Sequence, residues 1–552
     1  MARPGRRTIG GGGREAMGGR PMPRADNAEP MATAGPSLPH RTHVRDTPMG
    51  LRIAMVCAMM GTFMQVLDTT IANVTLPYMQ GSLQASRDQI TWVLTSYIVA
   101  SAIMTAPVGW IASRFGRKNF FIVSMAGFTI TSAMCGAALS LEQMIVFRLL
   151  QGVFGAALSP LSQAVVLDRY PAEKRGSIMA LWGVVVMVGP IMGPTLGGYL
   201  TDNYTWRWVF YVNVPIGILA VLGLIFFLAE DKRDNLLNFD WAGFGFFAVG
   251  IGAMQFMLDR GTTKDWFSSS EIVIEGVLAG MGAYLFIVHF FTAKRTFIPR
   301  GLLRDRNYVS ALTLTFFIGL LMLATTALLP PYLQNLGGYT VLDTGLMLAP
   351  RGIGTMLTMF LIGRVVMKID VRLPMAIGCS LLTWSLWEMS RWTPSVTPFT
   401  LGAITFMQGI GMGLVFIPSN IMAFATLPAE LRTDASAMIN LARNVGSAIG
   451  VSITTTVLAN TVQTVHATLA AHASPFNRAL DVNAPGILWN PHLPFGLAFL
   501  NGIIERNALI VAYSDVFYLM LFLSLPTFLV LILIPKPDMT VIAPPPEVEL
   551  IE

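Results

Sequence analysis

The chain has 552 residues, of which 53% are hydrophobic and only 12% charged, with a formal net charge of +6. Soluble domains carry about 25% charged residues, and here apolar runs of about 20 residues, enough to cross a bilayer core, recur to the end. That pattern excludes a string of soluble domains and leaves one integral membrane domain, while Cys57, Cys135 and Cys379 all sit in apolar runs with no disulfide or zinc spacing.

Residues 1–50 are rich in Gly, Arg and Pro without an apolar stretch, and are expected to form a disordered cytoplasmic tail, not a signal peptide. The internal Met17, Met22, Met31 and Met49 leave the start codon open. Fourteen spans are predicted, at 53–76, 90–112, 119–139, 143–167, 177–200, 208–229, 240–258, 272–293, 309–333, 343–366, 373–390, 399–424, 436–459 and 514–534. They divide into a six-helix half over 51–229, two additional helices over 230–300, and a second six-helix half over 301–536, ahead of a tail at 537–552.

The loops with Arg114, Arg117 and Lys118, with Arg169, Lys174 and Arg175, with Lys232 and Arg233, with Lys294, Arg295, Arg300, Arg304 and Arg306, and with Lys368 and Arg372 all fall on one side. By the positive-inside rule that side is the cytoplasm, which also receives both termini. The opposite loops hold few basic residues, among them Arg87, Arg207, Arg260, Lys264 and Arg391. Between the last two spans lies a long polar stretch, 460–513, on the outer side. Its parts Val457 to Ala473 and Gly496 to Ser514 are helix-compatible around Pro475, which predicts a hairpin standing off the membrane. Ile503, Ile504, Leu509 and Ile510 recur there at helical spacing as a face another helix would cover.

Ionisable groups inside spans cost about 2.5–3.5 kcal/mol at the centre and default to function. Asp68, Arg148, Arg351 and Arg443 are the informative ones. Counting residues from the span ends puts Asp68, Arg148 and Arg351 at one depth in the outer half. An acid that meets arginine in a dry cavity exchanges protonation for pairing and so couples proton and substrate movement; the bland alternative is a permanent Asp68–Arg148 pair that fixes packing. Thr69, Thr70 and Asn73 extend a polar stripe from Asp68, and with Gln151, Arg351 and Asn444 they are the candidate cavity lining. His289, near a cytoplasmic helix end, reads as interfacial.

The fifth span reads Gly189-Pro-Ile-Met-Gly-Pro-Thr-Leu-Gly-Gly198. Gly189, Gly193 and Gly197 share a face for close helix contact, while Pro190 and Pro194 bend the axis. The loop after the second span, Gly109-Trp-Ile-Ala-Ser-Arg-Phe-Gly-Arg-Lys118, is echoed by Gly363-Arg-Val-Val-Met-Lys-Ile-Asp-Val-Arg372 after the tenth, as parallel repeats in carriers would show.

With Leu67-Asp-Thr-Thr-Ile-Ala-Asn-Val-Thr-Leu-Pro77, Arg148-Leu-Leu-Gln-Gly152 and Trp206-Arg-Trp-Val-Phe-Tyr-Val-Asn-Val-Pro215, these stretches resemble the major facilitator superfamily. Within it they resemble the fourteen-span drug/proton antiporters of the EmrB/QacA type, over nearly the whole chain after residue 50. The stretch Asn507 to Phe517 resembles the entry to the last span of EmrB-type permeases. The resemblance implies an all-α membrane protein of two six-helix halves plus two helices, located in a bacterial inner membrane and driven by the proton gradient with no cofactor or metal. It implies that Asp68 is the proton-linked acid with Arg148 beside it, and that Gly109, Arg114, Gly116 and Arg117 form a cytoplasmic gate. Gly189, Pro190, Gly193, Pro194, Gly197 and Gly198 become the antiporter motif.

The substrates implied are small lipophilic drugs or toxic compounds, and the partners a periplasmic adaptor protein and an outer-membrane channel reached through 460–513. The family gate has Asp where this chain has Ser113, which predicts a weaker lock. A dedicated metabolite or siderophore exporter and a transport-inactive sensor or scaffold are the alternative readings. No HExxH, Walker or nucleophile-elbow pattern supports an enzyme or an ATP-driven pump.

Overall fold

Lipid offers no hydrogen-bond partners, so a spanning segment must close its backbone bonds within itself, and helices form wherever the sequence runs apolar. The computed structural model describes residues 48–170, 172–229, 238–366, 368–472 and 494–534; among these there are helices and no strand. The first six predicted spans become α1 (Pro48–Ser82), the pair α2 (Trp92–Thr105) and α3 (Val108–Phe115), α4 (Arg117–Ala137), the pair α5 (Leu141–Gly155) and α6 (Leu158–Arg169), α7 (Ala172–Asn203) and α8 (Asn213–Phe227). The additional helices are α9 (Trp241–Arg260) and α10 (Ser270–Thr292). Then follow α11 (Arg306–Asn335), α12 (Val341–Val365), α13 (Arg372–Met389), α14 (Pro398–Ala425), α15 (Arg432–His472), α16 (Pro494–Ser524) and α17 (Pro526–Leu533).

Among the described residues, eleven helices are long and apolar enough to cross a bilayer, or thirteen if each of two bent pairs counts as one span. The one expected span outside that number is the eleventh, 373–390, which is α13, whose 18 residues include Arg372 and Glu388 and so dilute its apolar character. It is still packed into the bundle on α14, with Gly378 against Val415 and Gly411. The segment expected to run straight over 90–112 is bent by 60° between α2 and α3. Pro107 stands at the break, where its ring and missing N–H end a helix. A second bend, 42°, separates Lys174–Pro190 from Thr195–Asn203 in α7, around the two prolines.

Helix pairing repeats along the chain. The first span packs on the fifth (α1 on α7), the second on the fourth (α2 on α5) and the third on the sixth (α4 on α8). Among the last six spans, α11 packs on α15, α12 on α14 and α13 on α16 in the same order. The first-to-fifth contact uses the same device both times: a Cβ at Gly193 would lie 2.3 Å from Thr70 Oγ1 of α1, and one at Gly446 of α15 would lie 2.1 Å from the Phe316 carbonyl of α11. Only the missing side chain permits such an approach.

The additional helices pair through Gly250 and Gly282, and His289 Nε2 lies 2.8 Å from Asp240 Oδ1, the residue that caps α9 at Gly243 N. His289 therefore ties α10 to α9 in addition to its interfacial place. The pair bridges the bundle, because Thr95 of α2 bonds Asp259 while Ser452 Oγ of α15 donates to the Leu258 carbonyl at 2.9 Å.

The expected outer hairpin has two helical arms. α15 runs unbroken for 41 residues and α16 for 31, far beyond what a core of about 30 Å requires at 1.5 Å per residue. His466 Nε2 meets Asn501 Oδ1 at 2.9 Å between them, and residues 473–493 lie outside the described residues. Of the apolar face expected on the second arm, Leu509 and Ile510 belong to one cluster with Val457 and Leu458 of α15, while Ile503 and Ile504 are half-buried outside that cluster. Leu469, Phe495, Leu497, Phe499 and Val511 are exposed apolar side chains of the arms.

The glycine contact is directly testable. Gly193→Val forces an isopropyl group, three extra carbons, between α7 and α1 and is expected to cost about 1–3 kcal/mol, read as a lower melting temperature in detergent. Gly198→Ala, where no atom lies within 4 Å of a Cβ, is expected to melt like the wild type. Equal melting of both variants would remove the close-contact account.

Candidate functional site

One carboxylate draws in polar side chains from several helices. Asp68 sits near the middle of α1 and is fully buried, as is Arg148 of α5. Arg148 Nη1 donates to Asp68 Oδ2 at 2.5 Å, and Gln151 Nε2, one turn along α5, donates to Asp68 Oδ1 at 2.9 Å. Gln151 Oε1 in turn accepts from Arg148 Nη1 at 2.9 Å, so the two α5 side chains brace each other. Asn213 Nδ2 at the start of α8 donates to the same Asp68 Oδ1 at 3.2 Å and lies 3.2 Å from Ser132 Oγ of α4. The anion thus accepts from three side chains on two other helices, as a buried charge requires.

The cation is held less completely. Arg148 Nε donates to the Val93 carbonyl at 3.0 Å, but Nη2 is buried without a hydrogen-bond partner. Its guanidinium carbon lies 4.5 Å from the Tyr97 ring centroid and 5.5 Å from that of Phe210, so aromatic faces supply part of its solvation. The Tyr97 hydroxyl is buried and unpartnered beside it. Removing one member of such a pair strands the other charge in a low dielectric and costs about 3–5 kcal/mol.

The remaining candidates divide. Asp68, Arg148 and Gln151 come together, but Arg351 does not join them: Nη1 donates to Thr326 Oγ1 at 3.1 Å and Nη2 to the Met322 carbonyl at 3.2 Å, within the α11–α14 part of the bundle. Arg443 bonds Asn440, and Asn444 is exposed one residue on. The polar stripe expected from Asp68 through Thr70 is split, because successive helical residues turn by about 100°. Thr70 Oγ1 faces α7 and donates to the Gly189 carbonyl at 3.2 Å. Gln65, Thr69 and Asn73, four residues apart, share a face beside Asp68; Thr69 bonds the Gln65 carbonyl at 2.6 Å and Asn73 is exposed.

At the end of the bundle bearing the basic loop, the two halves meet. Gly116 has φ 87°, a value that suits glycine, and turns the chain from α3 into α4. That turn presents Arg117, which pairs with Asp168 at the end of α6; Asp168 also receives Arg432 Nη1 of α15 at 2.7 Å. Gly109 lies flat against Asp434, since a Cβ there would fall 1.7 Å from Asp434 Oδ1. Ser113 is half-buried, and the Arg114 Nη1 atom is buried without a partner. The acids at this end are Asp168, from the same half as Ser113, and Asp434, from the other half. Deeper in, Ser159 Oγ lies 3.1 Å from Asn440 Oδ1, and Gln163 bonds Asn420 at 2.8 Å and Ser436. All of these contacts close one end.

Asn213, Ser132, Asp168, Arg432 and Asp434 were not singled out from the sequence. Asn213 stood inside the quoted Trp206 to Pro215 stretch, and its place just ahead of a strongly apolar helix was the available signal. Asn213→Ala deprives Asp68 and Ser132 of one partner each and is expected to cost about 1–3 kcal/mol of stability, read as a lower melting temperature, with Asn213→Asp worse because it faces Asp68. Unchanged melting of both would show that Asn213 does not carry the carboxylate.

A family model described as Major Facilitator Superfamily matches residues 58–451. The chain is 36% identical over 489 residues to the multidrug export protein EmrB of Escherichia coli K12, covering 87% of this chain and 94% of that one. It is 34% identical over 476 residues to the fatty acid resistance protein FarB of Neisseria gonorrhoeae, covering 85% and 93%. The structure of the proton:xylose symporter XylE superposes with a TM-score of 0.56 at 14% identity, covering 89% of this chain and 97% of that one.

Proposed function

The chain belongs to the major facilitator superfamily and to its EmrB-type permeases, and from that premise we propose that it exports lipophilic toxic compounds across a bacterial inner membrane in exchange for protons. The observation that carries this reading is the sealed Asp68–Arg148 pair with its Gln151 and Asn213 donors. A proton delivered to Asp68 removes the charge that holds Arg148, and charge-assisted bonds weaken to ordinary ones. Arg148, already short of a partner at Nη2, then gains by moving. Both side chains are fully buried, so proton exchange belongs to a different arrangement of the helices from this one. That requirement links protonation to opening. The Arg117–Asp168–Arg432 bridge and the Gly109–Asp434 contact are the lock that opening breaks, at the end read as cytoplasmic.

Charge supports a substrate class. Arg148 neutralises Asp68, whereas Arg351 and Arg443 form no ion pair among the described residues. Two arginines inside the second half of the bundle, each bonded only to neutral groups among the described residues, favour lipophilic acids and their anions as cargo. The relative named for fatty acid resistance points the same way.

Asp68→Asn is expected to abolish proton-driven efflux in inverted vesicles while leaving the folded protein in the membrane, because the amide keeps the shape and cannot take up the proton. Normal coupling in that variant would move the proton site elsewhere.

The outer hairpin supports a tripartite arrangement in which a periplasmic adaptor, and through it an outer-membrane channel, docks on the arms of α15 and α16. Loops between bundle helices usually need only two to eight residues. Shortening 460–513 with the flanking helices intact is expected to spare vesicle transport and remove drug resistance in cells. Intact resistance would rule out docking there, and lost vesicle transport would assign the hairpin to the pump itself.

A further inference from the structure

Where α10 meets α11 and α15, the side chains leave a cavity of about 190 Å³ on the flank of the bundle. Phe286, Phe290, Ile298, Leu312 and Met438 line it, together with the exposed Phe291 and Leu303. Its apolar walls give water nothing to bond. Only 11% of the apolar stretch of α10 is buried, so this flank faces the bilayer and what enters the cavity comes from the lipid.

The segment beside it carries Lys294, Arg295, Arg300, Arg304 and Arg306 against a single acid, Asp305. Asp305 is already committed, its Oδ1 accepting from Asn307 N at 2.9 Å and Tyr308 N at 3.1 Å as the cap of α11, and its Oδ2 from Thr426. None of the five cations forms an ion pair among the described residues. A plain topology signal would leave all five in water, but Arg300 is half-buried. Its guanidinium carbon stands 5.7 Å from the centroid of Phe290, a wall of the cavity, and its Nε is buried with no hydrogen-bond partner. Its Nη2 donates to the Ala293 carbonyl, which leaves Nη1 without a hydrogen bond among the described residues, and that donor beside an apolar slot open to lipid fits a molecule with an acyl chain and a phosphate. Basic clusters at the ends of spanning helices select anionic headgroups.

We propose that this cavity and the 294–306 segment form a binding site for one anionic phospholipid, an acyl chain lying among Phe286, Phe290 and Met438 and the headgroup phosphate meeting Arg300. The lipid joins α10 to α11 and α15 from outside. Met438 is one turn along α15 from Asp434, the residue that rests on Gly109, so the chain lies directly behind the closed end. The site does not depend on which compound is exported.

Native mass spectrometry of the purified full-length protein tests this, with phosphatidylglycerol and phosphatidylethanolamine of identical chains added in turn. The expected result is one tightly held phosphatidylglycerol that the zwitterionic lipid does not replace. Arg300→Gln is expected to weaken it roughly fivefold, the contribution of one basic residue near an anionic lipid. Leu303→Trp and Ile287→Trp, at exposed positions in the cavity wall, are expected to abolish it at an unchanged melting temperature. Equal retention of both lipids would identify an unspecific annular lipid and overturn the proposal. Undiminished phosphatidylglycerol binding in the Arg300 variant would overturn it independently, even were the tryptophan variants misfolded. Displacement of the lipid by a free fatty acid at equal concentration would make the cavity a substrate port and overturn it as well.

Discussion

Two opposite charges sealed from water inside an apolar bundle set the terms for much of the rest. Moving a carboxylate out of water costs several kcal/mol that its partner recovers only with good geometry and satisfied lone pairs. Asp68 meets that demand through Arg148, Gln151 and Asn213, which obliges α1, α5 and α8 to converge at one depth. The α1 backbone is held there by α7, whose glycines let it approach to contact, and the same construction recurs between α11 and α15. A polar centre and glycine-lined seams are thus complementary: the seams fix where the helices lie, and the centre fixes their rotation.

The surplus lies on the cation. Each oxygen of Asp68 is satisfied, yet Arg148 keeps a buried nitrogen without a partner and leans on Tyr97 and Phe210. Buried polar groups left unsatisfied store free energy that another arrangement can release. The lock at the end of the bundle is built differently: Asp168 takes two arginines from opposite halves, partly in reach of water, where ion pairs are individually weak and easily exchanged. A firm pair at the centre and a looser bridge at the rim suit a molecule that must alternate without coming apart.

Much of this was legible in the amino-acid sequence, and for physical reasons. An acid or arginine within an apolar run has few allowed explanations, so Asp68 and Arg148 stood out, and Gln151 was named with them only through the Arg148 to Gly152 stretch and as a candidate for the cavity lining. Glycines four residues apart identified the α7 seam. Asn213, Ser132 and Asp168 are ordinary polar residues near helix ends, and only tertiary proximity distinguishes them. Reading Thr70 as part of a stripe with Asp68 treated neighbours in sequence as neighbours on a face, which a helix turning about 100° per residue forbids. The span expected at 373–390 is present as α13, although Arg372 and Glu388 make it less apolar than its neighbours.

α15 begins with Arg432 on the Asp168 bridge and Asp434 against Gly109, passes the α11 seam at Gly446 and Gly450, and reaches His466 beside Asn501 on the outer arm. Nothing interrupts it over 41 residues, about 60 Å at 1.5 Å per residue. Such a rod has no joint at which to absorb motion, and the glycine contact near its middle makes a natural fulcrum. A tilt that frees Arg432 from Asp168 at one tip swings the other tip in the opposite sense. On the proposed reading, a displacement of the far arm is carried to the Asp168 bridge through the length of a lever.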